Sequence, residues 1–288
     1  MFMPIETILR SVLFIPGDDS RKLAKAKQLP ADALAVDWED GVSPPKKNKA
    51  RAQTVEFTQQ SDNLLPAILV RMNPTFSPEF SQDCAAIQEC AIDGIILSKC
   101  RSAEDVHVLA DLLDKVVTLR ECKIYPLIES PAALLSAFSI ATASDRVAAL
   151  AFGAEDFSAE MGIVRSRTET ELLYARSCIV TSARAAGRDA VDSPCLDIRN
   201  PERVREAGHH ARNLGFTGKL AIHPSQLEII NEVFSASEQE LESARRTLDA
   251  ASPETGVFSL DGRMVDEPIL KRARQVVSRA PRPQKPAH

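Results

Sequence analysis

Long apolar runs and secretory signals are missing from this sequence of 288 residues. The longest mostly apolar stretch, Val147–Gly153, is far shorter than the ~20 residues that a membrane-spanning helix requires. The opening segment, MFMPIETILR, lacks the apolar core of a secretory signal peptide. We therefore expect a cytoplasmic protein without a membrane partner, although the scarcity of acidic residues at the start leaves import into an organelle open.

Two further absences exclude other classes of protein. The six cysteines contain no C-x-x-C pair and no zinc-ligand spacing, so we expect buried free thiols rather than disulfides or a structural zinc site. No stretch is a basic patch interleaved with aromatic residues, and 35 basic against 40 acidic residues leave a net charge of −5. Nucleic acid is therefore not an expected partner.

The sequence does contain a repeated alternation of short apolar runs and segments with helical periodicity. The runs are continuous, which is typical of strands that are covered on both faces of a parallel sheet. Eight strands, each followed by a helix, predict a TIM barrel, with a doubly wound open sheet as the alternative. The predicted strands are Val12–Pro16, Ala33–Trp38, Ala67–Met72, Gly94–Lys99, Ile124–Ile128, Val147–Phe152, Asp189–Val191 and Lys219–Ile222. The predicted helices between and after them are Ser20–Leu29, Lys46–Gln60, Pro78–Ala91, Ala103–Arg120, Pro131–Ala141, Glu169–Ala186, Pro201–Leu214 and Ser225–Phe234.

The pattern changes after Phe234. Ser237 and Glu240 have the spacing of a capping box that opens an amphipathic helix, and a connector containing Pro and Gly leads to a last basic helix. We therefore predict a catalytic barrel over residues 1–234 and a C-terminal helical extension over residues 235–288 that serves as a lid or an oligomer contact. The final residues, PRPQKPAH, have little to bury and are expected to be disordered.

Polar residues follow most of the predicted strands, and in a TIM barrel these positions form the site. Carboxylates that crowd one mouth repel each other unless a cation neutralises them, and a hard divalent cation is the usual neutraliser. Glu129 and Asp156 follow successive strands, so we predict that they bind Mg²⁺, which keeps waters and takes few protein carboxylates. The alternative is that either acid caps the helix that follows it.

Other charged residues at the same mouth have several possible roles. Glu39 and Asp40 are expected to orient an arginine or a metal-bound water rather than to bind the metal themselves. Arg71 could pair with such an acid, or it could bind a substrate carboxylate or a developing enolate. Lys99 could be the nucleophile of a Schiff-base aldolase, but nearby acids would raise its pKa and argue against that role.

The charged residues that follow the strands, in this order along the chain, resemble a known pattern. It is that of the citrate lyase beta-subunit-like branch of the HpcH/HpaI aldolase superfamily, which includes malyl-CoA, citramalyl-CoA and citryl-CoA lyases. The resemblance covers nearly the whole chain and implies a TIM barrel with a C-terminal extension, assembled as a homotrimer or a multiple of it. Its carriers are RSVLFIPGDD (Arg10–Asp19), AVDWEDGV (Ala35–Val42), VRMN (Val70–Asn73), PLIESP (Pro126–Pro131), FGAEDF (Phe152–Phe157), GKLAIHPSQ (Gly218–Gln226) and DGRMVDEP (Asp261–Pro268).

The resemblance also implies roles for individual residues. Glu129 and Asp156 match the Mg²⁺ ligands, and Arg71 matches the arginine that contacts the substrate. Asp266 matches the catalytic Asp, which arrives from the extension of a neighbouring subunit; the residue pattern alone does not find it. The positions that match contacts to coenzyme A are Phe14, Arg21, Lys25, Ile222 and His223.

The implied activity is Mg²⁺-dependent retro-aldol cleavage of a 3-hydroxyacyl-CoA. The segment ETELLYARSCIV resembles the citramalyl-CoA lyases, which favours citramalyl-CoA as substrate, with acetyl-CoA and the 2-oxo acid pyruvate as products. Malyl-CoA or citryl-CoA cleavage, malate-synthase-like thioester hydrolysis and a CoA-independent class II aldolase of 2-oxo acids are the alternatives, as is a non-catalytic subunit. Two features depart from the family pattern, and we expect both to reshape the pocket wall. One is Trp38, and the other is the segment LSK (Leu97–Lys99), where Leu-Pro-Lys is commoner.

Overall fold

Eight parallel strands close into a barrel in sequential order, and pairing of the first strand with the eighth completes the ring. This is the TIM barrel that the sequence predicts, and each of the eight predicted apolar runs overlaps one strand. The computed structural model describes residues 9–59, 66–251 and 256–280. The strands are β1 (Ser11–Pro16), β2 (Ala33–Asp37), β3 (Ala67–Met72), β4 (Gly94–Leu97), β5 (Lys123–Ile128), β6 (Ala149–Phe152), β7 (Asp189–Asp192) and β8 (Gly218–Ala221).

Side chains alternate along each strand between the barrel interior and the surrounding helices. The interior is filled by apolar residues, many of them alanines, which leave room for one another in a small closed barrel. Along β2 the inward positions are Ala33 and Ala35, and the same alternation brings Asp37 to the inside at the carboxyl end of the strand. Asp37 is paired in register with Arg71 on β3.

Helices surround the barrel and continue beyond it. They are α1 (Ser20–Ala26), α2 (Lys47–Gln59), α3 (Phe80–Ile87), α4 (Ala103–Lys115), α5 (Pro131–Leu135), α6 (Ala137–Thr142), α7 (Ala154–Met161), α8 (Leu173–Ala185), α9 (Pro201–Leu214), α10 (Leu227–Phe234), α11 (Glu238–Asp249) and α12 (Glu267–Ser278). None of the helices in the described ranges is long and apolar enough to cross a membrane.

Two predicted helix assignments were wrong in detail, and one helix was not predicted. The segment Pro131–Ala141 is two helices, because the backbone of Ser136 leaves the helical region between α5 and α6. The predicted helix Glu169–Ala186 begins later, since Glu169 has a φ of +51° and cannot lie inside a helix. Helix α7 was missed: it is a short helix between Gly153 and Gly162, in a segment that we interpreted as a loop.

The chain divides into two compact units after Ile230, inside α10, whereas the sequence placed the boundary after Phe234. In the second unit, Ser237 and Glu240 form the predicted capping box at the start of α11. A two-stranded hairpin, β9 (Phe258–Leu260) and β10 (Arg263–Val265), turns at two residues with positive φ and precedes α12. The tail that we expected to be disordered lies outside the described residues.

All six cysteines are free thiols, as predicted. Four of them are buried, while Cys84 and Cys178 are half-buried. Burial in apolar surroundings raises the pKa of several of these thiols, that of Cys84 to about 11 and that of Cys90 to about 12. Thiols with a raised pKa are poor nucleophiles and poor metal ligands at neutral pH.

Candidate active site

The charged residues that follow the barrel strands meet at the carboxyl-terminal mouth of the barrel, where TIM-barrel enzymes carry their sites. Arg71, at the end of β3, donates two hydrogen bonds to Asp37, from Nε to Oδ1 at 2.8 Å and from Nη2 to Oδ2 at 2.6 Å. Its Nη1 lies 3.3 Å from Oε2 of Glu39, and its guanidinium lies 4.7 Å from the ring centroid of Phe14. Burial alone would lower the pKa of Arg71, but the hydrogen bonds and charge of Asp37 outweigh it and raise the pKa. Arg71 is therefore a fixed positive charge at the mouth.

Asp37 is a site residue that the sequence analysis missed. Its carboxylate accepts hydrogen bonds from the backbone N–H groups of Glu39 (2.8 Å) and Gly41 (2.9 Å), in addition to those from Arg71. A side chain at Gly41 would have its Cβ 2.2 Å from Oδ2 of Asp37, so the loop needs glycine there. The signal that could have found Asp37 is the period-two pattern from Ala33 and Ala35, which continues to this residue.

Glu129, directly after β5, is a buried carboxylate with 4% of its surface exposed. Its Oε1 accepts a hydrogen bond from the backbone N–H of Lys99, and its Oε2 lies against Gly153, where a Cβ would be only 2.5 Å away. Burial, and then the charge of Asp156, raise the pKa of Glu129 to about 8. Asp156 is half-buried in the first turn of α7, so the two predicted ligands are electrostatic neighbours.

Lys99 donates hydrogen bonds to the acidic residues that follow β2 and β5. Its ammonium donates a hydrogen bond to Oε1 of Glu39 and lies 3.0 Å from Oδ2 of Asp40. Burial would lower the pKa of Lys99, but these two carboxylates outweigh it and raise the pKa. Glu39 and Asp40 therefore contact Lys99, and Glu39 also contacts Arg71.

Trp38 and Ser98 do not line the mouth, which corrects the expectation that these departures reshape the pocket wall. Trp38 is fully buried on the outer side of β2, where its Nε1 donates to Oγ1 of Thr54 in α2 at 2.8 Å. Ser98 is also fully buried, and its hydroxyl donates to the carbonyl of Met72 at 2.6 Å. Strand alternation turns Trp38 away from the side that Asp37 and Glu39 share.

The residues expected to contact coenzyme A lie in β1, in α1 and directly after β8. Phe14 is half-buried beneath Arg71, whereas Arg21 and Lys25 are exposed on α1. A cavity of about 560 Å³ lies beside the loop after β1, and its basic lining residues are Arg21, Lys22, Lys46 and Lys49. Ile222 and His223 are exposed after β8. Nδ1 of His223 lies 2.8 Å from Oγ of Ser225.

Asp266 is the N-cap of α12 in the second unit. Its carboxylate accepts a hydrogen bond from the backbone N–H of Ile269 at 3.3 Å, and Pro268 lies in the first turn of the helix. The side chain is half-buried. A capping role is thus present, and a capping carboxylate also keeps one oxygen free for a second partner.

The donor set at the mouth fits a magnesium ion. Glu129 and Asp156 would offer carboxylate oxygens, the ligands that Mg²⁺ prefers in proteins. In the described residues no group of three or more His, Cys, Asp or Glu side chains is arranged to hold a metal ion. The raised pKa of Glu129 indicates a buried acid that a cation would stabilise in its charged form.

The fold is that of a TIM-barrel enzyme, and its mouth holds neighbouring carboxylates beside a fixed arginine. Residues 10–224 match the family model of HpcH/HpaI aldolase/citrate lyase. The chain belongs to this family, as the sequence predicts.

Individual relatives agree with this assignment. The chain is 34% identical to the citrate lyase subunit beta of Escherichia coli (strain K12), over 94% of this chain and 93% of the relative. It is 30% identical to the mitochondrial citramalyl-CoA lyase of Homo sapiens, over 94% of this chain and 85% of the relative. The solved structure of CitE from Mycobacterium tuberculosis, in complex with magnesium, acetoacetate and coenzyme A, superposes with a TM-score of 0.80 at 30% identity and covers 96% of this chain and 99% of that one. The predicted enzyme class, lyase, is confirmed.

Proposed function

We propose that this protein is a magnesium-dependent carbon–carbon lyase that cleaves a 3-hydroxyacyl-CoA, with citramalyl-CoA as the substrate and acetyl-CoA and pyruvate as the products. The observation that carries the proposal is the pairing of Glu129 and Asp156 beside the fixed cation Arg71 at the barrel mouth. Magnesium and coenzyme A occur together in the M. tuberculosis CitE structure. Human citramalyl-CoA lyase and E. coli citrate lyase subunit beta match almost equally well, so the choice of acyl group rests on the segment Glu169–Val180.

Glu129 and Asp156 would hold the metal ion. When bound, a divalent cation lowers the pKa of a hydroxyl group and polarises the carbonyl that forms from it. The chain's own residues then supply the rest of the chemistry. Their task is to bind the thioester, to stabilise its enolate and to deliver a proton to carbon.

Arg71 would stabilise the thioester enolate that forms when the bond between the two products breaks. Its guanidinium is already oriented by Asp37, so little reorganisation accompanies the development of negative charge. Asp266, from the extension of a neighbouring subunit, would protonate the enolate carbon of acetyl-CoA, or remove that proton in the condensation direction. A mobile extension that delivers the acid would also exclude water once the substrate is bound.

The coenzyme A portion would lie along the rim of the barrel. Phe14, Arg21, Lys25, Ile222 and His223 are the proposed contacts. The cavity beside α1 offers four basic residues for the phosphates, and it is also lined by Asp18 and Asp19, which pair with Lys46 and Lys22. We further propose a homotrimer, or a multiple of it, in the cytoplasm.

The decisive experiment mixes acetyl-CoA and Mg²⁺ with pyruvate, glyoxylate or oxaloacetate and identifies the CoA products by mass. We expect a condensed CoA product only in the mixture with pyruvate, and we expect that product to be citramalyl-CoA. Malyl-CoA from glyoxylate or citryl-CoA from oxaloacetate would replace the proposed substrate with another of the class. Free CoA that appears with the condensed acid would indicate thioester hydrolysis, and cleavage of a 2-oxo acid substrate without CoA would identify a class II aldolase.

A matched titration tests the metal site independently of turnover. Calorimetry should detect Mg²⁺ binding to the wild type, with strong loss in Glu129→Gln and in Asp156→Asn, because each removes one anionic ligand. The exposed Glu104→Gln serves as the control and should bind Mg²⁺ normally. Wild-type affinity in both site variants would remove the assignment.

The Schiff-base alternative makes Lys99 the nucleophile. A lysine whose pKa is raised by Glu39 and Asp40 stays protonated at neutral pH and is a poor nucleophile. Borohydride reduction in the presence of pyruvate should therefore leave Lys99 unmodified. A pyruvyl adduct at Lys99 in a peptide map would support the alternative instead.

A further inference from the structure

Lys99 has a backbone conformation that its residue type rarely adopts. It follows β4 with a φ of +47°, in the left-handed region that favours glycine and asparagine. In the described part of the chain, the other non-glycine residues with positive φ are Glu169 and Asp261. Residues held in this region cost free energy and persist where surrounding contacts require them.

The contacts at Lys99 explain the conformation. Its backbone N–H donates to Oε1 of Glu129 across the mouth, while its ammonium reaches back to Glu39 and Asp40 at the end of β2. One residue therefore uses its main chain to hold one acid and its side chain to hold two others. A right-handed or extended backbone at this position would change the angle between the N–H and the side chain of Lys99, so the two groups would no longer point to these acids together.

The same hydrogen bond decides which oxygen of Glu129 is available. Oε1 is occupied by Lys99, whereas Oε2 lies beside Gly153, the residue that begins α7 and leads to Asp156. The buried carboxylate therefore directs one oxygen to the N–H of Lys99 and the other toward Gly153. The free oxygen thus lies on the side of Glu129 that is nearest to α7.

We propose that Lys99 is a positioning residue of the metal site: its left-handed backbone lets its N–H orient Glu129 while its ammonium keeps Glu39 and Asp40 bound to protein rather than to the cation. This role rests on the proposed function, since it presumes that Glu129 and Asp156 hold the metal. Groups that orient metal ligands by hydrogen bonds commonly change metal affinity by about 10- to 100-fold.

Substitutions at Lys99 can separate the backbone role from the charge. Lys99→Arg keeps the cation, Lys99→Asn removes it but tolerates the left-handed conformation, and the β-branched Lys99→Val removes it and disfavours that conformation. Calorimetric Mg²⁺ titration should give an affinity close to wild type for Arg, weaker for Asn, and about 10- to 100-fold weaker than wild type for Val. Asp261→Val, at another left-handed residue in the second unit, is the control for backbone strain and should bind Mg²⁺ normally.

The Mg²⁺ affinities of the Lys99 variants either support the backbone role or overturn it. A valine variant that binds Mg²⁺ like the wild type, or asparagine and valine variants with equal affinity, would overturn the backbone role. If Lys99→Val does not fold, as judged by circular dichroism, Lys99→Gly and Lys99→Ala replace the pair, with tighter binding expected for glycine. Absence of Mg²⁺ binding by the wild type would instead refute the proposed metal site, so the two failures are distinguishable.

Discussion

The carboxylate of Glu129 is held from two sides, by the N–H of Lys99 on one oxygen and by the bare α-carbon of Gly153 on the other. Gly153 has no side chain because none would fit: its Cβ would lie 2.5 Å from Oε2 and 2.6 Å from Cβ of Glu129. The glycine is therefore required by the close approach of the acid and not by an unusual φ.

Gly153→Ala is expected to weaken Mg²⁺ binding and turnover by displacing Glu129, while the barrel still folds. Calorimetric Mg²⁺ titration and activity measure the effect. Gly256→Ala is the matched control, because among the described residues no heavy atom outside its chain neighbours lies within 4 Å of the added methyl group. Equal Mg²⁺ affinity in the two variants would show that the position of Glu129 tolerates the methyl group at Gly153.

The raised pKa of Glu129 predicts a pH dependence of stability in the metal-free protein. Its pKa is about 8 in the native state and 4.5 in the unfolded chain, so between these values the native protein holds a proton that the unfolded chain has released. The contribution of Glu129 to the free energy of unfolding is therefore fully present below about pH 4.5 and is lost as pH rises through about 8.

That contribution is the difference in the free energy of unfolding between wild type and Glu129→Gln. It is measured by denaturant unfolding in the presence of a chelator across this pH range. The free energy of unfolding of the wild type should fall relative to that of Glu129→Gln as pH increases. Mg²⁺ should diminish this loss at high pH because it binds the ionised form of Glu129. A difference that does not change with pH would contradict the burial of an uncompensated acid.

At the scale of elements, α12 depends on Asp266 for its first turn, whatever else this residue does. The hydrogen bond from Ile269 to the carboxylate is an N-cap, and such caps contribute about 1 kcal/mol. Asparagine caps a helix about as well as aspartate but cannot transfer a proton at neutral pH. The two functions of Asp266 can therefore be tested separately.

Asp266→Asn is expected to leave the free energy of unfolding nearly unchanged while it lowers the turnover rate by about 10²- to 10⁴-fold, the usual contribution of a general acid or base. Asp266→Ala should lose the cap as well and unfold about 1 kcal/mol more easily. Denaturant unfolding and steady-state kinetics on both variants are the measurements. If Asp266→Asn retained full activity, capping alone would account for the residue.

At the scale of the whole molecule, the proposed site takes its acid from another subunit. Glu129→Gln and Asp266→Asn should each be inactive alone, but a mixture should recover part of the activity after subunits exchange. The reason is that some mixed sites would combine an intact barrel with an intact extension. Subunit exchange is verified by mass spectrometry of labelled chains, and demonstrated exchange without recovered activity would rule out action across subunits.

Much of this protein follows from the sequence by itself. The eight strands, the capping box at Ser237 and the family could all be predicted, because hydrophobic periodicity, capping patterns and motif order are properties of neighbouring residues. The candidate ligands Glu129 and Asp156 could be proposed for the same reason, since strand ends in a TIM barrel share one mouth.

Only the tertiary structure decided how the site is assembled. The pairing of Asp37 with Arg71, the contact of Gly153 with Glu129 and the outward burial of Trp38 all depend on which side of its strand each residue occupies and on what lies opposite. The left-handed backbone of Lys99 depends on Glu129, which is distant in sequence. Local patterns do not encode these relations, because barrel closure sets the strand register and loop angles through contacts between residues far apart in the chain.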